Sequence, residues 1–145
     1  MSQATGASAG AARPAPTRLR VVLVDDVSAL RRLVRFVLEE DARFEVVGEA
    51  ANGRDAVEVV ARTVPHLVLL DLSMPEQDGL ETLPQLRKAA PACKVVVLSG
   101  FTEDKMAQVA KRLGAASYIE KGASPDELVR RLLRVAGADL ISGGP

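Results

Sequence analysis

The chain has 145 residues, 48% of them hydrophobic, with 19 Lys and Arg set against 19 Asp and Glu for a formal net charge of zero. That length and apolar content suit one domain with its own core and no need of disulfides or a structural metal, and the balanced charge removes the electrostatic footprint of a nucleic-acid-binding module. No apolar run approaches the ~20 residues that span a bilayer, and the N-terminus has no signal-type stretch, so a cytoplasmic protein with no membrane contact and no direct DNA binding is expected.

Residues 1–18 are rich in Ala, Gly, Ser, Thr and Pro, show no hydrophobic periodicity and cannot repay the entropy of ordering, which predicts a disordered N-terminal tail. From Leu19 short apolar runs alternate with amphipathic stretches, the pattern of strands and helices taking turns in a parallel sheet covered on both faces. Five such units fit. The run Val21 to Val24 is too short for a helix and stops at the acids Asp25 and Asp26. Leu30, Leu33, Val34, Val37 and Leu38 then recur at helical spacing, with Arg31, Arg32, Arg35 and Glu39 on the other face. Phe44 to Ala50 reads as the second strand, and Asn52-Gly53 turns into a helix whose apolar side is Ala56, Val57, Val60 and Ala61.

The third strand, Leu67 to Leu70, ends at Asp71. After a turn from Met74 to Gly79, Leu80, Leu83 and Leu86 predict a helix that starts late or bends, because Pro84 removes one helical hydrogen bond. Val95 to Leu98 is the fourth strand and ends at Ser99; Thr102 is a cap for a helix burying Met106, Val109, Ala110 and Leu113, with Gly114 as its stop. Ala115 to Ile119 is a shorter fifth strand. Ser124-Pro125-Asp126-Glu127 combines a Ser cap, Pro at the first helical position and Glu three residues after the cap. Leu128, Val129, Leu132, Leu133 and Ala136 form the buried face of that last helix, with Gly137 as its end. The single cysteine, Cys93, has no histidine nearby to activate it and reads as structural.

In an open parallel sheet every strand points its carboxyl end to the same edge, and ligands bind there. The polar residues sit at those ends: Asp25 and Asp26 after the first strand, Asp71 after the third, Ser99 after the fourth and Lys121 just after the fifth. Three carboxylates in one small site repel each other unless a cation neutralises them, and an all-oxygen cluster suits Mg²⁺ better than a transition metal. A lysine and a hydroxyl complete a site for a phosphoryl group, with Asp71 as the candidate nucleophile.

The motifs Val24-Asp25-Asp26, Leu70-Asp71-Leu72-Ser73-Met74-Pro75 with Asp78-Gly79 after it, Ser99-Gly100, and Tyr118-Ile119-Glu120-Lys121 fall in the order and spacing of response-regulator receivers of two-component signalling, which the chain resembles from about Leu19 to Ala136. The resemblance implies an α/β fold: one doubly wound, flavodoxin-like (βα)5 domain over residues 19–137 with parallel strand order 2-1-3-4-5, and a short tail over 138–145. It implies that Asp71 is the phosphoacceptor, that Asp26 and Asp71 bind Mg²⁺ directly, and that Asp25 acts through water and Ser73 through its backbone carbonyl. Ser99 and Lys121 would hold the phosphoryl oxygens, and Tyr118 would swing inward when Ser99 moves. The implied donor is a sensor histidine kinase or a phosphotransfer protein of a phosphorelay. With only Ala138 to Pro145 after the last helix, a stand-alone switch is expected that signals to an unknown downstream protein and performs no turnover chemistry.

Three positions depart from the usual pattern or tune it. Gly122 stands where many receivers have proline after the lysine, and Ser73 and Phe101 occupy the variable positions that, by the resemblance, would tune how fast the phosphoryl group is lost. Blander readings apply elsewhere. His66, at the entry to the third strand, is a loop histidine without an assigned role; Arg130 and Arg131, four residues after Asp126 and Glu127, fit a solvated helix face, to which Arg134 is added. A haloacid-dehalogenase-type phosphatase would need a second acid at position 73, which is Ser73, and an FMN-binding flavodoxin would be coloured.

Overall fold

A computed structural model of the chain describes residues 18–72, 79–100 and 104–140. The expected disordered tail up to residue 17, Ser73, the turn through Met74 to Asp78, Phe101, the Thr102 cap and the last five residues lie outside them. The elements alternate throughout: β1 (Leu19–Val24), α1 (Ser28–Glu39), β2 (Phe44–Ala50), α2 (Gly53–Thr63), β3 (Leu67–Asp71), α3 (Gly79–Ala89), β4 (Lys94–Ser99), α4 (Asp104–Arg112), β5 (Ala115–Glu120) and α5 (Pro125–Leu140). All pairs in the sheet are parallel and the order is β2-β1-β3-β4-β5, as the resemblance implied.

The continuous apolar runs of the strands follow from burial on both faces, because successive side chains point to opposite sides. Val22, Val24, Val68, Leu70, Val95 and Val97 pack with Ala56, Val60, Leu83 and Leu86 of α2 and α3. Val21, Leu23, Leu67, Leu69, Val96 and Ile119 pack on the other side with Leu38 of α1 and Leu128 and Leu132 of α5. Asn52 caps α2, its side chain accepting a hydrogen bond from the Asp55 amide at 2.8 Å, and Ser124 caps α5 by accepting from the Glu127 amide at 3.1 Å. Both helix starts were legible in the sequence. After α4, Gly114 takes φ +112°, a left-handed conformation that L side chains rarely adopt.

Several expectations are corrected. On α1, Leu33 is 58% exposed: Leu30, Val34, Val37 and Leu38 cluster on one side of the helical wheel and Leu33 falls at its margin. On α2 the buried face is Gly53, Ala56, Val59 and Val60, while Ala61 faces solvent, so the stripe is turned by about one position from the one predicted. Val109 of α4 is 37% exposed. Pro84 lies inside α3, which excludes the late start of the two alternatives. Gly137 does not end α5, which runs on to Leu140; one glycine costs a helix only about 1 kcal/mol relative to alanine. Among the described residues no helix is long and apolar enough to cross a membrane.

Candidate functional site

The carboxyl ends of β1, β3, β4 and β5 bring the sequence-predicted polar residues to one edge. Asp71 is the last residue of β3 and only 2% exposed, although it carries a carboxylate. It is placed there by a ladder that pairs Val24 of β1 with Leu70 and Asp71 with Leu98 of β4. Asp25 and Asp26 follow β1, the first half-buried and the second exposed. The Asp25 amide donates to the Ala50 carbonyl at 3.1 Å, and the Asp25 carboxylate accepts from the Val27 amide at 2.9 Å. One carboxylate oxygen from each of Asp25, Asp26 and Asp71 lies within 4.8 Å of the others.

The cation comes from the far side of the site. Ser99 ends β4, fully buried, and its carbonyl accepts a hydrogen bond from the Lys121 amide at 2.8 Å, which carries the β4–β5 ladder one residue beyond β5. From there the Lys121 ammonium reaches Asp71 Oδ1 at 3.0 Å and Asp25 Oδ2 at 3.7 Å. One lysine therefore serves two acids. Burial pushes the Asp25 carboxyl above its ordinary value, and the neighbouring charges of Asp71 and Asp26 push the same way. The Val27 amide and Lys121 offset part of the effect. A set of three carboxylates that contains no nitrogen or sulfur donor fits a hard cation such as Mg²⁺ by its chemistry. Ser73, expected to add a carbonyl, lies outside the described residues.

Gly79 explains how α3 can begin beside the end of β3. A Cβ there would come within 2.7 Å of the Asp71 carbonyl oxygen and 2.8 Å of the Leu72 Cα, both backbone atoms that cannot swing away. Tyr118 pairs with Val97 on β4, two residues before Ser99, so it sits on the same sheet face as Ser99; its ring is half-buried against the α2–α3–α4 side of the core. The Tyr118 carbonyl accepts from Arg131 Nη2 at 3.1 Å, and the Ser117 hydroxyl lies 3.2 Å from the same nitrogen. Arg131 is thus turned toward β5 and is not simply part of a solvated face, while Glu127 pairs with both Arg130 and Arg131. His66 does play a structural part, since its Nδ1 accepts from the Arg20 amide at 2.9 Å. Sequence reasoning also missed Arg31 and Glu49. Helical periodicity puts Arg31 on the solvent side of α1, yet its guanidinium bonds to the Asp25 carbonyl and, at 2.9 Å, to Glu49.

A doubly wound parallel sheet with acids and a lysine gathered at its carboxyl edge defines the receiver class of signalling domain. The family model for the response regulator receiver domain matches residues 21–133, and the chain belongs to that family. It is 34% identical over 117 residues to the chemotaxis protein CheY of Thermotoga maritima, covering 81% of this chain and 97% of CheY. It is 37% identical over 112 residues to the uncharacterized transcriptional regulatory protein YhcZ of Bacillus subtilis, covering 77% of this chain and 52% of YhcZ. The chain thus spans nearly all of one relative and about half of the other. Among solved structures, the receiver domain of a NarL response regulator from Mycobacterium tuberculosis superposes with a TM-score of 0.79 at 31% identity, over 84% of this chain and 98% of that one. Receiver domains are phosphoacceptor switches of two-component signal transduction that bind Mg²⁺ at an acidic pocket and interact with histidine kinases and downstream effectors.

Proposed function

We propose that this chain is a receiver whose phosphoacceptor is Asp71, loaded from the phosphohistidine of a sensor histidine kinase or phosphotransfer protein. The observation that carries the reading is the Lys121 ammonium 3.0 Å from a buried carboxylate that two further acids approach within 4.8 Å. An Asp71 oxygen forms a new bond to phosphorus as the donor's N–P bond breaks and its imidazole leaves. Asp25, Asp26, Asp71 and the Ser73 carbonyl would hold Mg²⁺, which when bound would supply positive charge to offset the phosphoryl oxygens. Lys121 neutralises a second side of the group, and the Ser99 hydroxyl hydrogen-bonds one of its oxygens.

The output follows from the same contacts. Drawing Ser99 toward a phosphoryl oxygen changes the space in front of Tyr118, which lies on the same face of the sheet, and Arg131 ties the Tyr118 backbone to α5. The surface formed by α4, β5 and α5 is therefore the proposed switch, read by a downstream protein or by onward phosphotransfer. The match spans nearly the whole of the chemotaxis protein CheY but only about half of regulators such as YhcZ and the nitrate/nitrite response regulator NarL of Escherichia coli. The reading is tested by intact mass after incubation with Mg²⁺ and acetyl phosphate. Wild type should gain one phosphoryl group, abolished by EDTA and by Asp71→Asn. Unmodified wild type, alongside a receiver that labels in the same buffer and with a kinase present, would overturn it.

A further inference from the structure

The helix that follows the acid pair starts without the usual support. Val27 at the N-cap of α1 makes no side-chain capping bond, and no acidic residue lies in the first turn. The segment from Asp25 to Val27 carries two of the three clustered acids, so whatever holds it sets the spacing of those carboxylates. Arg31 reaches back past the start of the helix, and its Nη1 donates to the backbone carbonyl of Asp25, six residues earlier. Its Nε donates at 2.9 Å to Glu49 Oε1 on β2, and its side chain is only 17% exposed. Arg35, one turn further along α1, pairs with the other oxygen, Glu49 Oε2, and also with Glu39 at 3.1 Å. Glu49 is thus gripped at both oxygens, and a guanidinium so held is aimed at one backbone atom.

We infer that Arg31, oriented by Glu49, is a positioning residue for the cation site: it pins the Asp25 carbonyl and so fixes where the Asp25 and Asp26 carboxylates stand. The geometry separates its role from that of Arg35, because both arginines pair with Glu49 but only Arg31 bonds to the acid-bearing segment. A planar guanidinium satisfies a carbonyl and a carboxylate together, which an ammonium at the end of a flexible stem does less well. Partners that orient metal ligands typically alter metal affinity by about 10–100-fold when removed.

The inference rests on the acid cluster being the cation site, and its test keeps the two apart. Mg²⁺ binding to the full chain, without any phosphodonor, is measured by calorimetry for wild type, Arg31→Met, Arg31→Lys, Arg35→Met and Glu49→Gln, with circular dichroism to confirm folding. Arg31→Met should weaken Mg²⁺ binding about tenfold and Arg31→Lys by less, while Arg35→Met stays within about twofold of wild type. Glu49→Gln should weaken binding several-fold, and it serves as the decisive variant if Arg31→Met does not fold. Wild-type affinity in Arg31→Met, or equal losses in Arg31→Met and Arg35→Met, would overturn the inference while leaving the acid cluster standing. A wild-type chain that binds no Mg²⁺ would bring down the site and the inference together.

Discussion

The two ends of the same sheet are built on opposite principles. At the end where the strands begin, polar groups are matched one to one: the Arg20 amide bonds to His66 Nδ1, the His66 amide to the Arg20 carbonyl and the Lys94 amide to the His66 carbonyl, each at 2.9 Å. The charged tips there also find backbone acceptors, Arg20 at the Val64 carbonyl and Lys94 at the Val135 carbonyl. At the carboxyl end, among the described residues, three acids crowd within 4.8 Å and Lys121 serves two of them. The first end contributes stability; under the proposed function, the second gives some up to hold charge where a cation and a phosphoryl group would bind.

That contrast breaks most sharply at Asp71. Replacing it with Asn should abolish phosphoryl uptake by intact mass and, in EDTA, raise unfolding stability by about 1 kcal/mol, because relieving repulsion among the acids outweighs the lost pair with Lys121. A fall in stability would mean that the lysine already balances the cluster. His66→Ala probes the other end. It strips the acceptor from the Arg20 amide and should cost about 1–2 kcal/mol by chemical denaturation while leaving the rate of labelling by acetyl phosphate unchanged.

Asn52→Ala sharpens the comparison, since Asn52 stands at the carboxyl edge but serves only as the α2 cap. About 1 kcal/mol of stability should be lost with no change in labelling, so position at that edge alone does not confer function.

The smallest effect is a pH signature. At Glu49 burial raises the carboxyl's pKa, but the bonds from Arg35 and Arg31 outweigh it and hold the group below its ordinary value of 4.5. A depressed acid contributes stability that is fully present above 4.5 and is lost as pH falls through the folded value. Asp25 has the opposite sign: its raised pKa imposes a cost above the folded value that fades as pH falls toward 3.8. In EDTA, acidification should first relieve the Asp25 cost and then remove the Glu49 contribution, and Glu49→Gln should flatten only the lower limb of the denaturation profile.

The strands and the acid cluster were legible because each follows from a rule of sequence order. A strand buried on both faces reads as an unbroken apolar run, and strand ends in a parallel sheet converge whatever their separation along the chain. Helix faces were less legible. Leu33 has the right chemistry and nearly the right spacing, but which flank of an apolar stripe is covered depends on the neighbouring helix. Arg31 was hidden for a different reason: its partners are a backbone carbonyl six residues back and a glutamate on another strand, and no periodicity encodes either. The end of α5 was misjudged because Gly137 was given more weight as a stop than one glycine carries.

The most direct test of the central claim is to locate the phosphoryl group on the chain. After labelling with acetyl phosphate and Mg²⁺, borohydride reduction converts an aspartyl phosphate to homoserine, which peptide mass spectrometry can place. Homoserine at position 71 alone, absent when EDTA is present during labelling, is the result predicted. Homoserine at Asp25 or Asp26, or undiminished labelling of Asp71→Asn, would contradict it.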